Sequence, residues 1–373
     1  MADNKDKKVL NVPALRFPEF TEEWRLVHLD EIAEFQKHRI STSLLNNSNY
    51  ISTENILQNF EGIQSSPSIP ANTNVIEYQK GDILLSNIRP YLKKVWFADR
   101  KGGCSADVFV LRGDKCDQHF LYYVIASDRF INYVMSGAKG VKMPRGDKSQ
   151  MEKYAFSIPI NTEQRKIAKF LSILDERIRL QNKIIEKLET LIKGIRNYVL
   201  NNKLQNTTKK KLGELCTITT GKLDANAMKS EGLYPFFTCA EEVYRIDSFA
   251  FDTEALLVSG NGANLGYIHY YKGKFNAYQR TYVLSNFIED IHYIQIYLEA
   301  YLHKRIALEK STSNTPYIVL ATLAEMPIII PNIKIQKDIS NKILILKSKL
   351  ITEIHIRNCY KDMRQFLLSQ MFI

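Results

Sequence analysis

The chain has 373 residues, 45% of them apolar, and a net charge of +11. That length supports two or three domains with well-buried cores, and five scattered cysteines without a C-x-x-C pair exclude a disulfide framework or zinc finger. The opening residues lack the apolar run of a signal peptide and no stretch reaches membrane-spanning length, which points to a soluble cytoplasmic protein.

Residues 1–160 hold short runs rich in Tyr, Phe, Val and Ile, punctuated by Gly, Asn and Pro, and this predicts a β-rich domain. A helix is expected over 161–200. Pro159 ends an apolar run, Asn161 or Thr162 can cap the helix, and Glu163 falls in its first turn. Ile167, Leu171, Leu174, Ile178, Ile185, Leu188, Ile192, Ile195 and Val199 keep 4-3 spacing, interrupted only at Gln181. Such a heptad seam predicts a coiled coil.

A basic connector, "NNKLQNTTKKK" at 201–211, leads into a second β-rich region over 212–331 and a second helix over 332–373. The second seam runs through Ile339, Ile343, Leu346 and Leu350, then meets Glu353, the repeat partner of Gln181. The two polar seam residues read either as a register-setting contact between the helices or as outward-facing breaks. At ~1.5 Å per residue each helix measures about 55–60 Å. The class is α+β: two similar β-rich domains, each followed by a long helix.

The basic charge is concentrated. Residues 162–200 carry +4, residues 334–373 carry +5 and the connector adds four lysines, so the remainder sums to about −2. Nucleic acid is one anionic partner such charge would suit; solubilising charge on exposed helix faces is the other reading.

The halves repeat at an offset of 172 to 173. "ILLS" (83–86) falls on "LLVS" (256–259), "VWF" (95–97) on "IHY" (268–270), and "VFVL" (108–111) on "TYVL" (281–284). Pro144, Pro159, Gln164 and Ile167 fall on Pro316, Pro331, Gln336 and Ile339. Side chains between these anchors mostly differ, so one architecture carries two surfaces. Catalytic signals are missing or false. "SGNGANLG" (259–266) has the wrong spacing for a nucleotide loop, lies between two strand-like runs and reads as a hairpin turn. "NTPY" (314–317) lacks the first proline of an adenine-methyltransferase motif, and the seven histidines show no ligand spacing. The chain reads as non-catalytic, with no metal or cofactor of its own. Aromatic runs such as "YIHYY" (267–271) are expected to fill a β core.

Two divergent domains held apart by a rod suit a reader of two half-sites on duplex DNA. At this point the sequence resembles the specificity subunit of type I restriction-modification systems. The resemblance rests on "NVPALRFPEFTEEWRLVHLDEIAEF" near the start, "GDILLSNIRPYLKKVWFA" (81–98) and "FSIPINTEQRKIAKFLSILDERI" (156–178), and it covers nearly the whole chain. The second copy departs from the pattern, with Ile335 in place of the expected glutamate. The resemblance implies two target recognition domains reading a bipartite, asymmetric DNA sequence, and two helices pairing antiparallel as a spacer. It also implies docking of two methyltransferase subunits bringing S-adenosylmethionine, and ATP-dependent, Mg-requiring restriction subunits in the full complex. The alternative is a stand-alone DNA-binding regulator that dimerises through its coiled coil.

Base reading calls for Arg, Lys, Asn or Gln on loops. The candidates in the first domain are Arg89, Lys93, Lys94, Lys139, Lys142, Arg145 and Lys148. Those in the second are Asn261, Asn264, Gln279, Arg280, Lys310, Ser313, Asn314 and Thr315.

Overall fold

A computed structural model of the chain describes residues 11–65, 68–200, 206–308 and 317–373, apart from the side chains of 199 and 200. Two compact units result, one of Met1–Gln181 with Ile356–Ile373, the other of Asn182–His355.

The first unit runs β1 (Arg25–His28), α1 (Leu29–Ile32), β2 (Ala33–Phe35), β3 (Arg39–Ser41), β4 (Tyr50–Ile51), β5 (Asn74–Tyr78), β6 (Ile83–Ser86), β7 (Val95–Phe97), β8 (Gly102–Cys104) and β9 (Val108–Gly113). Helices α2 (Gln118–Ile125), α3 (Asp128–Ser136) and α4 (Lys148–Glu152) follow, then β10 (Ala155–Ile158) and α5 (Asn161–Leu200), whose first half belongs to this unit. Two four-stranded sheets, β2-β9-β6-β7 and β3-β5-β8-β4, accompany the pair β1-β10.

The second unit takes the rest of α5 and continues with β11 (Thr208–Lys211), α6 (Leu212–Leu215), β12 (Thr217–Thr220), β13 (Tyr234–Phe237), β14 (Tyr244–Ile246), β15 (Phe251–Ser259), β16 (Ile268–Ala277) and β17 (Thr281–Ser285). Next come α7 (Ile291–Leu308), α8 (Leu320–Ala324), β18 (Pro327–Ile330) and α9 (Ile333–Met371), the last turns of which belong to the first unit. Its main sheet has six strands, β12-β17-β15-β16-β13-β14, with β11-β18 beside it.

The repeat holds at the level of strand register. Ile83 lies opposite Phe97 and Leu111, and 173 residues later Leu256 lies opposite Tyr270 and Leu284. "SGNGANLG" joins the antiparallel strands β15 and β16 as expected of a hairpin connection. The last four connector residues, Thr208–Lys211, form β11 and pair with Pro327–Ile330, as β1 pairs with β10 in the first copy. Residues 201–205 of the connector lie outside the described residues.

The heptad stripe of α5 does more than face another helix. Ile167, Leu171 and Leu174 are buried in one core with Phe120, Tyr123 and Phe130 of α2 and α3, and with Leu367, Leu368, Met371 and Phe372 from the end of α9. In the second unit Ile339 and Ile343 are buried with Tyr293 and Tyr297 of α7, and Ile195 packs against the same core. Ile185, Leu188 and Ile192 are buried, while Ile178, Leu346 and Leu350 are half-buried. Gln181 is buried and Glu353 half-buried, so Gln181 is not an outward-facing break.

A pair of buried carboxamides fixes where the long helices begin. Gln164 donates from Nε2 to the Pro159 carbonyl at 2.8 Å and accepts at Oε1 from the Asp117 amide at 2.8 Å. Gln336 repeats both contacts with the Pro331 carbonyl at 2.8 Å and the Asp290 amide at 3.0 Å. Asp117 and Asp290 in turn cap their helices by accepting from the amides of Phe120 and Tyr293. Each glutamine therefore ties a strand end, a long helix and a capped domain helix into one hydrogen-bonded unit.

The neighbouring position explains the departure noted in the second copy. Glu163 is fully buried and accepts from Arg16 Nε at 2.7 Å and Nη2 at 2.8 Å, with Trp24 Nε1 at 3.4 Å. The entry segment supplying Arg16 and Trp24 occurs once in the chain. A buried carboxylate without that partner is costly, and Ile335 instead packs its apolar side chain on the second core. All five cysteines are free, and burial pushes the Cys116 and Cys216 thiols up to about 12.

Truncating either clamp leaves a buried amide and a buried carbonyl unsatisfied. Gln164→Ala and Gln336→Ala are each expected to cost about 2–4 kcal/mol of stability, whereas exposed Gln279→Ala stays within about 0.5 kcal/mol. Denaturant midpoints check this; equal midpoints for all three variants would contradict it.

Candidate nucleic-acid interface

The ends of the central strands carry the candidate loops, and a matched set of main-chain hydrogen bonds holds those loops in each domain. In the first, the Asn87 amide donates to the Asp107 carbonyl at 2.8 Å, and the Gly146 amide donates to the Asn87 carbonyl at 3.0 Å. An antiparallel bridge joins Ile88 to Arg145. In the second, the Gly260 amide donates to the Arg280 carbonyl at 2.9 Å, the Ile318 amide donates to the Gly260 carbonyl at 2.8 Å, and a bridge joins Asn261 to Tyr317. Every position corresponds at the offset of 172 or 173. Gly260 is required by the close approach: a Cβ there would stand 2.4 Å from the Arg280 carbonyl oxygen.

This frame brings Arg89, Lys139 and Arg145 together. The Arg89 amide donates to the Pro144 carbonyl at 2.8 Å, and Lys139 and Arg145 exchange main-chain hydrogen bonds at 2.9 and 3.0 Å. The hairpin they close projects Val141, which is fully exposed, together with exposed Lys142 and Met143. Gly140 turns that tip at a φ of 98°. Arg89 and Lys93 occupy left-handed conformations, at φ 51° and 54°, on either side of a single 3₁₀ turn.

Most of these cations are paired with carboxylates, Arg145 and Lys93 with distant ones and Lys139 and Lys148 with near neighbours in sequence. Arg145 Nη1 lies 2.9 Å from Asp107 Oδ1, Lys139 Nζ 2.9 Å from Asp147 Oδ2, Lys93 Nζ 2.6 Å from Asp128 Oδ1, and Lys148 Nζ 3.6 Å from Glu152 Oε1. The exposed pairs among these contribute little to stability, so a phosphate can displace the carboxylates at small cost. Lys94 is turned inward: its ammonium donates to the Thr53 carbonyl at 2.6 Å, and burial lowers its pKa. Among the described residues Arg89 and Lys142 form no ion pair.

In the second domain Gln279 and Arg280 are exposed at the turn between β16 and β17, whereas Asn261 and Asn264 are half-buried between β15 and β16. Lys310, Ser313, Asn314 and Thr315 lie outside the described residues. The "YIHYY" run is not wholly core: Tyr267, just before β16, and Tyr270 are each 37% exposed. Ile268 and Tyr271 are half-buried, and strand alternation sends them to opposite faces of the sheet, against two separate cores. Asp107 and Tyr317 were not candidates on sequence, although the repeat offset already places them opposite Arg280 and Arg145. Among the described residues no cluster of His, Cys, Asp and Glu is arranged to hold a metal ion, and no helix is long and apolar enough to cross a membrane.

Comparison with known proteins agrees with this geometry. The family described as type I restriction modification DNA specificity domain matches residues 21–190 and again 205–357. Over 132 residues the chain is 43% identical to the type I restriction enzyme EcoDI specificity subunit of Escherichia coli, a match covering 35% of this chain and 29% of that relative's length. The chain thus spans less than a third of that relative. In fold it is similar to the type I restriction-modification S subunit from M. genitalium, with a TM-score of 0.72 at 18% identity over 97% of this chain and 99% of that one. A second solved chain, from work on complex assembly and conformational transition of the type I R-M system, gives a TM-score of 0.52 at 19% identity, covering 93% of this chain and 97% of that one. With the domain matched twice along most of its length, the chain belongs to the type I restriction-modification DNA specificity family, one recognition domain in each half.

Proposed function

We propose that this chain is the non-catalytic, address-reading subunit of a type I restriction-modification complex, and that its two domains read the two parts of an interrupted, asymmetric DNA sequence. The carrying observation is the pair of matched main-chain frames that present different side chains. Equal scaffolds with unequal surfaces suit two unequal half-sites at a set spacing.

In this reading Arg89, Lys93, Lys139, Lys142, Arg145 and Lys148 anchor or read the first half-site. Asn261, Asn264, Gln279, Arg280, Lys310, Ser313, Asn314 and Thr315 serve the second. The long helices pair antiparallel as the spacer and dock two methyltransferase subunits. Those partners hold S-adenosylmethionine and methylate adenine, and ATP- and Mg-dependent restriction subunits join the full complex in the cytoplasm.

Deleting the gene is expected to abolish one interrupted, adenine-methylated motif from the host genome, read by long-read sequencing. An unchanged methylation pattern in a host whose system is active would refute the proposal.

Outside the helices and connector the charge is about −2, so phosphate neutralisation by the domains is weak. The chain alone should bind its target at about 10⁻⁶ M or weaker, and about 100-fold tighter once the methyltransferase subunits are added. Titration of a labelled duplex at fixed salt measures both; tight binding by the chain alone, unimproved by partners, would speak for an independent regulator.

A further inference from the structure

We infer that one pair of positions in the duplicated frame determines specificity in each domain: Asp107 with Arg145 in the first, Arg280 with Tyr317 in the second. This rests on the reading of the chain as a DNA address subunit and names the residues that set the address.

The positions are equivalent by geometry. Asp107 and Arg280 each accept a main-chain hydrogen bond from the residue just past the end of the central strand, Asn87 after β6 at 2.8 Å and Gly260 after β15 at 2.9 Å. Arg145 and Tyr317 each bridge the residue that follows, Ile88 and Asn261. Their backbones are held from both sides, because the next residues, Gly146 and Ile318, donate back to Asn87 and Gly260. Four side chains therefore leave a fixed main chain, as accurate base reading requires.

The same positions carry different chemistry. In the first domain the Asp107 carboxylate holds the Arg145 guanidinium at 2.9 Å, leaving the rest of its fork open, with 53% of the arginine side chain exposed. A guanidinium oriented in this way suits the O6 and N7 acceptors of guanine. In the second domain no carboxylate stands at either position. Arg280 is exposed, Tyr317 is 48% exposed, and among the described residues neither side chain has an ion-pair partner. Arg280 offers an unrestrained fork, and Tyr317 offers a ring and a hydroxyl that can donate or accept. Asp107 acts as a positioning residue, whereas the other three reach the bases.

The frame also separates these residues from the remaining cations. Lys94 is bound to the Thr53 carbonyl, and Lys93 and Lys148 pair with Asp128 and Glu152 on the helices. Such groups contribute charge but no selection among bases.

The test is to co-produce each variant with the methyltransferase subunits, confirm assembly by gel filtration, and read the methylated motif genome-wide. Arg145→Ala is expected to relax one specified base in one half of the motif, lowering discrimination there by about 10- to 100-fold, with the other half unchanged. Arg145→Lys keeps the charge but loses the fork and should relax the same base. Asp107→Asn should relax that base less, and adding it to Arg145→Ala should change nothing further. Tyr317→Ala and Arg280→Ala should relax the opposite half only. The inference is overturned if assembled variants keep every specified base, if Arg145 and Tyr317 variants relax the same half, or if methylation falls evenly with the motif intact. If the unsubstituted complex methylates no interrupted motif, the functional reading falls and this inference with it.

Discussion

Two buried glutamines set the geometry on which the rest depends. A side-chain amide can serve a carbonyl and an amide at once, which few residues can do within a single turn. Gln164 and Gln336 use that capacity at the junction between each domain and its long helix, joining Pro159 to Asp117 and Pro331 to Asp290. Because those aspartates cap the domain helices, the helix start and the domain core are fixed together. Burial raises the cost of any slip, since each lost partner would leave a desolvated polar atom.

Around this constant element the copies have diverged where physics permits. The first copy adds the buried Arg16–Glu163 pair with Trp24, and the second, lacking the entry segment, places Ile335 there on its core. The strand register is unchanged between copies, as the pairings of Ile83 and Leu256 show. The loops that leave those strands keep their main-chain bonds and exchange their side chains. A scaffold with invariant bonds and variable tips is the arrangement in which sequence preference can change without loss of fold.

Much of the fold was legible because it rests on periodicity and repetition. The helix over 161–200, the strand-rich halves and the offset of 172 to 173 follow from apolar spacing and matched landmarks. Other features were not legible. The connector lysines 209–211 lie in β11, and a polar edge strand gives no apolar alternation to betray it. Part of the heptad stripe packs on its own domain, because spacing identifies a buried face without naming its partner. At the candidate site the cations were visible, but the acids that pair with Arg145 and Lys93 from afar were not. Asp107 lies 38 residues from Arg145 in sequence, and the inward turn of Lys94 toward Thr53 depends on a carbonyl 41 residues away. Tyr317 was hidden by its residue type, since a tyrosine in a strand-rich region reads as core until its exposure is known.

The central claim is that one scaffold, used twice, carries two separate addresses. Its most direct test is a chain whose second domain, residues 212–331, is replaced by the matching part of the first, co-produced with the methyltransferase subunits and followed by genome-wide methylation sequencing. The account predicts an interrupted motif with the same bases specified in both halves. A motif that keeps the original second half would contradict it.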